Sequence, residues 1–125
     1  MPDNCNDPFA DPRFWAGVEC FNKGDWYAAH DLFEELWHDT NEPQRRWLQA
    51  VVQISVALLH HQRGNSNGAM ILLGEGLGRL RTAQAEPMDW QSQLLLCPCK
   101  ELLLQLQRGG PSEEWVTMPQ LSFQA

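Results

Sequence analysis

The stretch Trp47–His61, WLQAVVQISVALLHH, decides the fold, because it is the most apolar segment of the chain and contains neither glycine nor proline. Placed on a helix at about 100° per residue, its apolar side chains occupy almost the whole circumference. A helix that is apolar nearly all round is normally buried on several sides. We therefore expect a central helix on which the other helices pack.

Helix start and stop signals predict four more helices around the central one. Asp11 before Pro12 is a typical N-cap followed by a first helical residue, and Asp25 and Asn65 are N-cap candidates that follow glycines. The predicted helices cover about 12–21, 26–38, 43–63, 66–83 and 89–107, with a break or restart of the last at Pro98.

No stretch alternates with a period of two, so the fold class is predicted to be all-α. A weak echo at a period of 40 places Gly24-Asp25 over Gly64-Asn65, as in helical-hairpin repeats. Two degenerate copies are too few for a solenoid. We expect one domain, residues 1–125, built as a compact bundle of about five helices in hairpins. An irregular arm (1–10) precedes it, and an extended tail (112–125) carries Trp115, Val116, Leu121 and Phe123 across the body.

Composition excludes several function classes. The chain has 125 residues, nine Lys+Arg against sixteen Asp+Glu and a net charge of −7, which argues against a nucleic-acid binder. Its longest apolar run is too short to span a bilayer, and the polar start MPDNCNDPF is unlike a signal peptide. We expect a cytoplasmic protein with reduced thiols.

Two local patterns in the second half have structural explanations. Cys97-Pro98-Cys99 has one residue between its thiols, unlike the two of typical zinc or redox pairs, so we interpret these cysteines as small hydrophobes at a helix break. The fourth helix contains four glycines, which lower its intrinsic stability. We expect them to permit close helix–helix approach: Gly68, Gly74, Gly76 and Gly78.

One polar constellation stands out. His30 and Glu34 are four residues apart and share a helix face, a spacing that suits a divalent metal or a general base oriented by a carboxylate. The central helix has a polar stripe with Gln53 and His60. If that stripe faces the second helix, these four side chains form a pocket walled by aromatic residues: Trp26, Tyr27 and Trp37. Three interpretations of these polar residues stay open: a structural hydrogen-bond network, a small-ligand pocket and a metal site made by His30, Glu34 and His60.

Three segments carry a family resemblance: FNKGDWYAAHDLFEELW at 21–37, QAVVQ at 49–53 and HHQRGNSNGA at 60–69. Together they resemble the domain-of-unknown-function 309 family, small all-helical bacterial and archaeal proteins, over about residues 14–80. Asp31 stands where the family usually has Glu. The resemblance implies an all-helical fold and a candidate site of six residues, but no activity: His30, Asp31, Glu34, Trp37, Gln53 and His60.

Two function hypotheses follow. The first is a non-catalytic module that binds a small molecule or a partner protein, of unknown identity, beside the His/Glu/Gln cluster. The alternative is a metal-dependent, hydrolase-like enzyme with a divalent metal as cofactor and His30, Glu34 and His60 as ligands or acid–base groups. No nucleophile elbow or P-loop is present to support other chemistry. A homodimer through a Gly/Leu face of the fourth helix is compatible with either hypothesis.

Overall fold

The computed structural model describes residues 8–82, 92–109 and 118–122. Five α-helices follow one another: α1 (Pro12–Asn22), α2 (Trp26–His38), α3 (Gln44–Gln62), α4 (Ser66–Leu80) and α5 (Gln93–Gln107). The described ranges contain no strand, and the predicted all-α fold is confirmed. Within the same ranges, no helix combines the length and the apolar character needed to cross a membrane.

The helix α3 is the centre of the bundle. Each helix packs on the next one in the chain, and α3 lies between α2 and α4. Nine of its 19 residues are buried, from Trp47 to Leu59. Ser55 is fully buried among them, and its hydroxyl donates to the Val51 carbonyl at 2.9 Å, which satisfies the polar group inside the core. The apolar stretch Trp47–His61 thus forms the core helix, as predicted.

An aromatic cluster closes one end of the bundle and orders part of the N-terminal arm. The Phe9 ring stacks on Trp47 at 5.0 Å between centroids, and Phe14 meets Trp47 edge-on at 5.7 Å. Pro8–Ala10 forms a 3-10 turn before α1. The prediction of an irregular arm through residue 10 is therefore wrong for these three residues, because Phe9 gains aromatic partners by adopting the turn.

The turns α1–α2 and α3–α4 have the same geometry, which explains the 40-residue echo. Gly24 and Gly64 both have φ of 83°, a left-handed conformation that glycine adopts without a Cβ clash. The N-cap residues that follow have nearly equal torsions, φ −87° and ψ 79° for Asp25 and φ −89° and ψ 82° for Asn65. Each side chain accepts from the backbone N–H three residues later. The sequence similarity at a period of 40 residues therefore corresponds to two helical hairpins whose turns have the same backbone conformation.

The helix α5 contains Pro98 without a break, contrary to the prediction. A proline lacks the N–H that would bond to the carbonyl four residues earlier, here that of Leu94. The Leu94 carbonyl instead accepts from the Gln120 backbone N–H at 3.0 Å. The C-terminal segment thus supplies the donor that proline removed, and α5 continues to Gln107.

The same C-terminal segment is tied to the end of α1. The Leu121 N–H donates to Asn22 Oδ1 at 2.7 Å, and Asn22 Nδ2 donates back to the Leu121 carbonyl at 3.1 Å. Leu121 is buried, as predicted for the tail. The other predicted tail anchors lie outside the described residues: Trp115, Val116 and Phe123.

A charged cluster links the start of α1 to the end of α2. The Arg13 guanidinium pairs with Asp11 at 2.8 Å, Asp39 at 3.0 Å and Glu35 at 3.2 Å. The hydrogen bonds from Arg13 lower the pKa of the Asp11 carboxyl below its usual value. This cluster holds the first hairpin together at the end opposite its turn.

Candidate functional site

His30 and Glu34 lie side by side on the outer face of α2. The ring nitrogen Nδ1 of His30 lies 3.0 Å from the Tyr27 carbonyl and donates to it in the neutral tautomer that protonates Nδ1. The other nitrogen, Nε2, is then left 3.9 Å from Glu34 Oε1. That distance is too long for a hydrogen bond. The pair is therefore loosely associated, with Glu34 half exposed and Asp31 exposed beside it.

The aromatic residues predicted to wall the site are distributed around α2. Trp26 is buried against Phe21, with ring centroids 5.0 Å apart. Trp37 carries the Arg45 guanidinium 4.0 Å above its ring, a cation–π contact between α2 and α3. Of the three aromatic residues, Tyr27 is the one beside His30, with ring centroids 5.5 Å apart. The three rings therefore do not line one pocket.

Gln53 joins α3 to α4, not to α2. Its amide nitrogen donates to Glu75 Oε1 at 3.0 Å, and its amide oxygen accepts from Arg79 Nε at 3.0 Å. Both groups of the amide are used, so Gln53 holds an acidic and a basic side chain of α4 in fixed positions. The polar stripe of the central helix thus faces α4 at Gln53, so the orientation towards α2 on which the predicted pocket depended is not the one observed.

His60 lies in the last turn of α3 and contacts the connection to α4. Its Nδ1 lies 3.3 Å from Asn65 Nδ2, which donates to it, and its carbonyl accepts from the Asn65 N–H at 2.8 Å. The structure therefore brings His30 and Glu34 together and places Gln53 and His60 at contacts with residues after Gly64. The six predicted site residues lie on two separate surfaces, α2 and the α3–α4 hairpin.

The α3–α4 surface contains a concave site that sequence reasoning missed. This open groove has a volume of about 440 Å³, within the range of small-molecule sites. Gln53 fixes two of its lining side chains, Glu75 and Arg79. The only sequence signal was the placement of two arginines at the end of one helix, opposite an arginine at the start of its antiparallel neighbour. The lining residues are Arg46, Glu75, Gly78, Arg79, Arg81 and Thr82.

Metal ligation has little geometric support within the described ranges. There, no three His, Cys, Asp or Glu side chains are grouped as metal ligands. Cys97 and Cys99 are about 200° apart on α5, so their thiols point to different sides. Cys97 is exposed and donates to Gln93 Oε1 at 2.8 Å, whereas burial raises the pKa of the Cys99 thiol to about 12.

Comparison with known proteins agrees with the resemblance found in the sequence. The family model described as "Domain of unknown function (DUF309)" matches residues 14–72. The chain is also 34% identical over 70 residues to the Bacillus subtilis (strain 168) protein described as "Uncharacterized protein YpuF". That match covers 55% of this chain and 38% of the relative, so the chain spans well under half of that protein's length. No solved structure gave a significant match. The family resemblance is confirmed.

Proposed function

We propose that this chain, whose residues 14–72 match a family of unknown function, is a non-catalytic binding module with its ligand site in the α3–α4 groove. One observation carries the proposal. Gln53 uses both ends of its amide to hold Glu75 and Arg79 on the wall of the 440 Å³ groove. Side chains held in place before binding lose less conformational freedom when a ligand arrives, which favours affinity.

The chemistry of the groove favours binding over catalysis. Three of its lining residues are arginines, and guanidinium groups stay protonated at physiological pH. General acid–base catalysis needs a group that gains and loses a proton near the working pH. The one carboxylate of the lining, Glu75, already accepts a hydrogen bond from Gln53. These features are those of a site that recognises a ligand and leaves it unchanged.

We expect a substitution that fills the groove to abolish ligand binding without harming the fold. A Cβ at Gly78 would meet nothing closer than an Arg81 nitrogen at 3.8 Å, an ordinary contact, so Gly78→Met places its side chain in the groove without a clash. The measurement is a small-molecule library screened by NMR against the wild type, with the groove amides as reporters. Hits should disappear in Gly78→Met.

Gly74→Met is the matched control for this experiment. Gly74 lies one turn earlier on the same helix, a Cβ there meets nothing within 4 Å, and the residue does not line the groove. Both variants gain helix propensity by the same exchange. Binding should persist in Gly74→Met. Hits that survive in Gly78→Met, or that map to α2 instead, would contradict the proposal.

The alternative, a metal-dependent hydrolase-like enzyme with His30, Glu34 and His60, has one supporting observation. The free nitrogen of His30 and the Glu34 carboxylate are 3.9 Å apart on an accessible face. His60 lies in the last turn of α3, and its Nδ1 already accepts from Asn65. About one equivalent of zinc or manganese in the purified protein, lost in His30→Ala, would favour this alternative over the binding module.

A further inference from the structure

We infer that the α3–α4 groove takes the dianionic head group of a small phosphate ester, held by the guanidinium groups of Arg46, Arg79 and Arg81. This inference rests on the proposed function, because it names the ligand class of the same groove. Arginine presents a planar fork of N–H donors that matches the oxygens of a phosphate. Three of the nine basic residues of the chain line this one groove.

The charge of the groove matches a dianion. Its lining carries three arginines and one glutamate, which leaves two positive charges. A phosphate monoester carries about two negative charges above its second pKa of about 6. A single carboxylate or sulfonate brings one negative charge and would leave the groove half neutralised. The balance of charges therefore favours a phosphate ester over a monoanion.

Most N–H donors of the three groove arginines have no partner within residues 8–82, 92–109 and 118–122. Arg79 uses Nε to reach Gln53, and its two terminal nitrogens have no partner among the described residues. Arg46 and Arg81 are exposed, and within the same ranges neither forms an ion pair. A hydrogen bond with one ionised partner is stronger than a neutral one. A phosphate would therefore meet donors that the described part of the chain does not use.

The overall charge of the chain restricts the ligand to a small molecule. At −7 the chain repels a long polyanion such as a nucleic acid, whose many phosphates extend over the whole surface. A small ester is affected mainly by charges within a Debye length, about 8–10 Å at physiological ionic strength. Among the residues that line the groove, three arginines outnumber the one carboxylate, that of Glu75. The inferred ligand is accordingly a phosphorylated metabolite-sized molecule.

The test compares phenyl phosphate with benzenesulfonate, which share a ring and a tetrahedral head group and differ by one charge at pH 8. Binding is followed by NMR titration of the full chain at low salt, with inorganic phosphate as a third probe to measure the head group alone. We expect phenyl phosphate to shift the Gly78 amide signal and benzenesulfonate to bind at least about tenfold more weakly. Arg46→Gln and Arg81→Gln should each weaken phenyl phosphate binding about ten- to a hundredfold.

Arg108→Gln is the control, because Arg108 is exposed at the end of α5 and does not line the groove. The affinity of this variant for phenyl phosphate should stay within about twofold of the wild-type value. Equal binding of the two aromatic probes, or wild-type affinity in both groove arginine variants, would overturn the inference.

If library ligands bind in a manner that Gly78→Met abolishes while phenyl phosphate does not bind, the proposed function stands and the phosphate assignment fails. If no ligand of any kind binds the groove, both fail.

Discussion

Replacing Phe33 by alanine is expected to lower the free energy of unfolding by about 3–5 kcal/mol, as for large aromatic side chains removed from a core. Phe33 is fully buried on α2, and its ring contacts Phe14 at 5.9 Å between centroids. A Cβ added at Gly17 of α1 would lie 2.6 Å from the Phe33 ring, so the two helices meet at this side chain. Urea denaturation followed by circular dichroism measures the loss.

Tyr27→Ala is the control for Phe33→Ala on the same helix. Tyr27 is 55% exposed, and the Arg63 guanidinium lies 5.9 Å from the centroid of its ring. Its removal should cost less than about 1 kcal/mol. Equal losses in the two variants would mean that α2 does not present Phe33 to α1, and the packing described for the first hairpin would be wrong.

Gly76→Ala is expected to destabilise the protein by about 1–3 kcal/mol, although alanine is the better helix former. A Cβ at this position would lie 2.6 Å from Ile54 Cγ1 and 3.1 Å from the Ala50 carbonyl oxygen. Backbone atoms of α3 cannot move aside without disturbing the central helix. The melting temperature and the urea midpoint should therefore both fall.

Gly74→Ala should have the opposite effect. A Cβ at Gly74 meets no atom within 4 Å, so the exchange should raise the free energy of unfolding by about 0.5–1 kcal/mol through helix propensity alone. The opposite signs of two identical exchanges, two residues apart, are the signature of close approach at Gly76. A rise in stability in both variants would show that α3 and α4 are further apart than described.

Most of the fold could be predicted from the sequence, because short local sequence patterns determine the helices and the turns between them. Gly24 and Gly64 have a positive φ that few other residues adopt, and the N-cap residues Asp25 and Asn65 that follow them start the next helix. Hydrophobic periodicity then identified the helices. Pro98 shows the limit of local reasoning, since the donor that compensates for it comes from Gln120, 22 residues later in the chain.

Less of the candidate site could be predicted, because a helical wheel gives the direction of a side chain on its own helix. The wheel does not give the neighbouring helix that the side chain contacts. The wheel grouped Gln53 with His60 on one polar stripe, but it could not tell whether that stripe faces α2 or α4. The hydrogen bonds of Gln53 to Glu75 and Arg79 decide this point. The glycines of α4 show the same limit of the helical wheel. Gly76 permits the close approach of α3 as predicted, whereas a Cβ at Gly74 would meet no atom within 4 Å.

The oligomeric state stays a prediction. Leucines that the sequence offered as a dimer face on α4 are largely in the core, with Leu73, Leu77 and Leu80 buried. The outer face of α4 retains Gly74 and the exposed Ile71. The cytoplasmic location and the single domain over residues 1–125 likewise stay predictions.

Arg46, Arg79 and Arg81 are the three residues that we propose to form a ligand site between α3 and α4. A crystal structure of the full chain grown with phenyl phosphate tests it most directly. We expect density for the phosphate in the groove, within hydrogen-bond distance of at least two of the three guanidinium groups and with the Gln53–Arg79 bond retained. Phosphate density beside His30 and Glu34, or a groove that stays empty at saturating concentration, would contradict it.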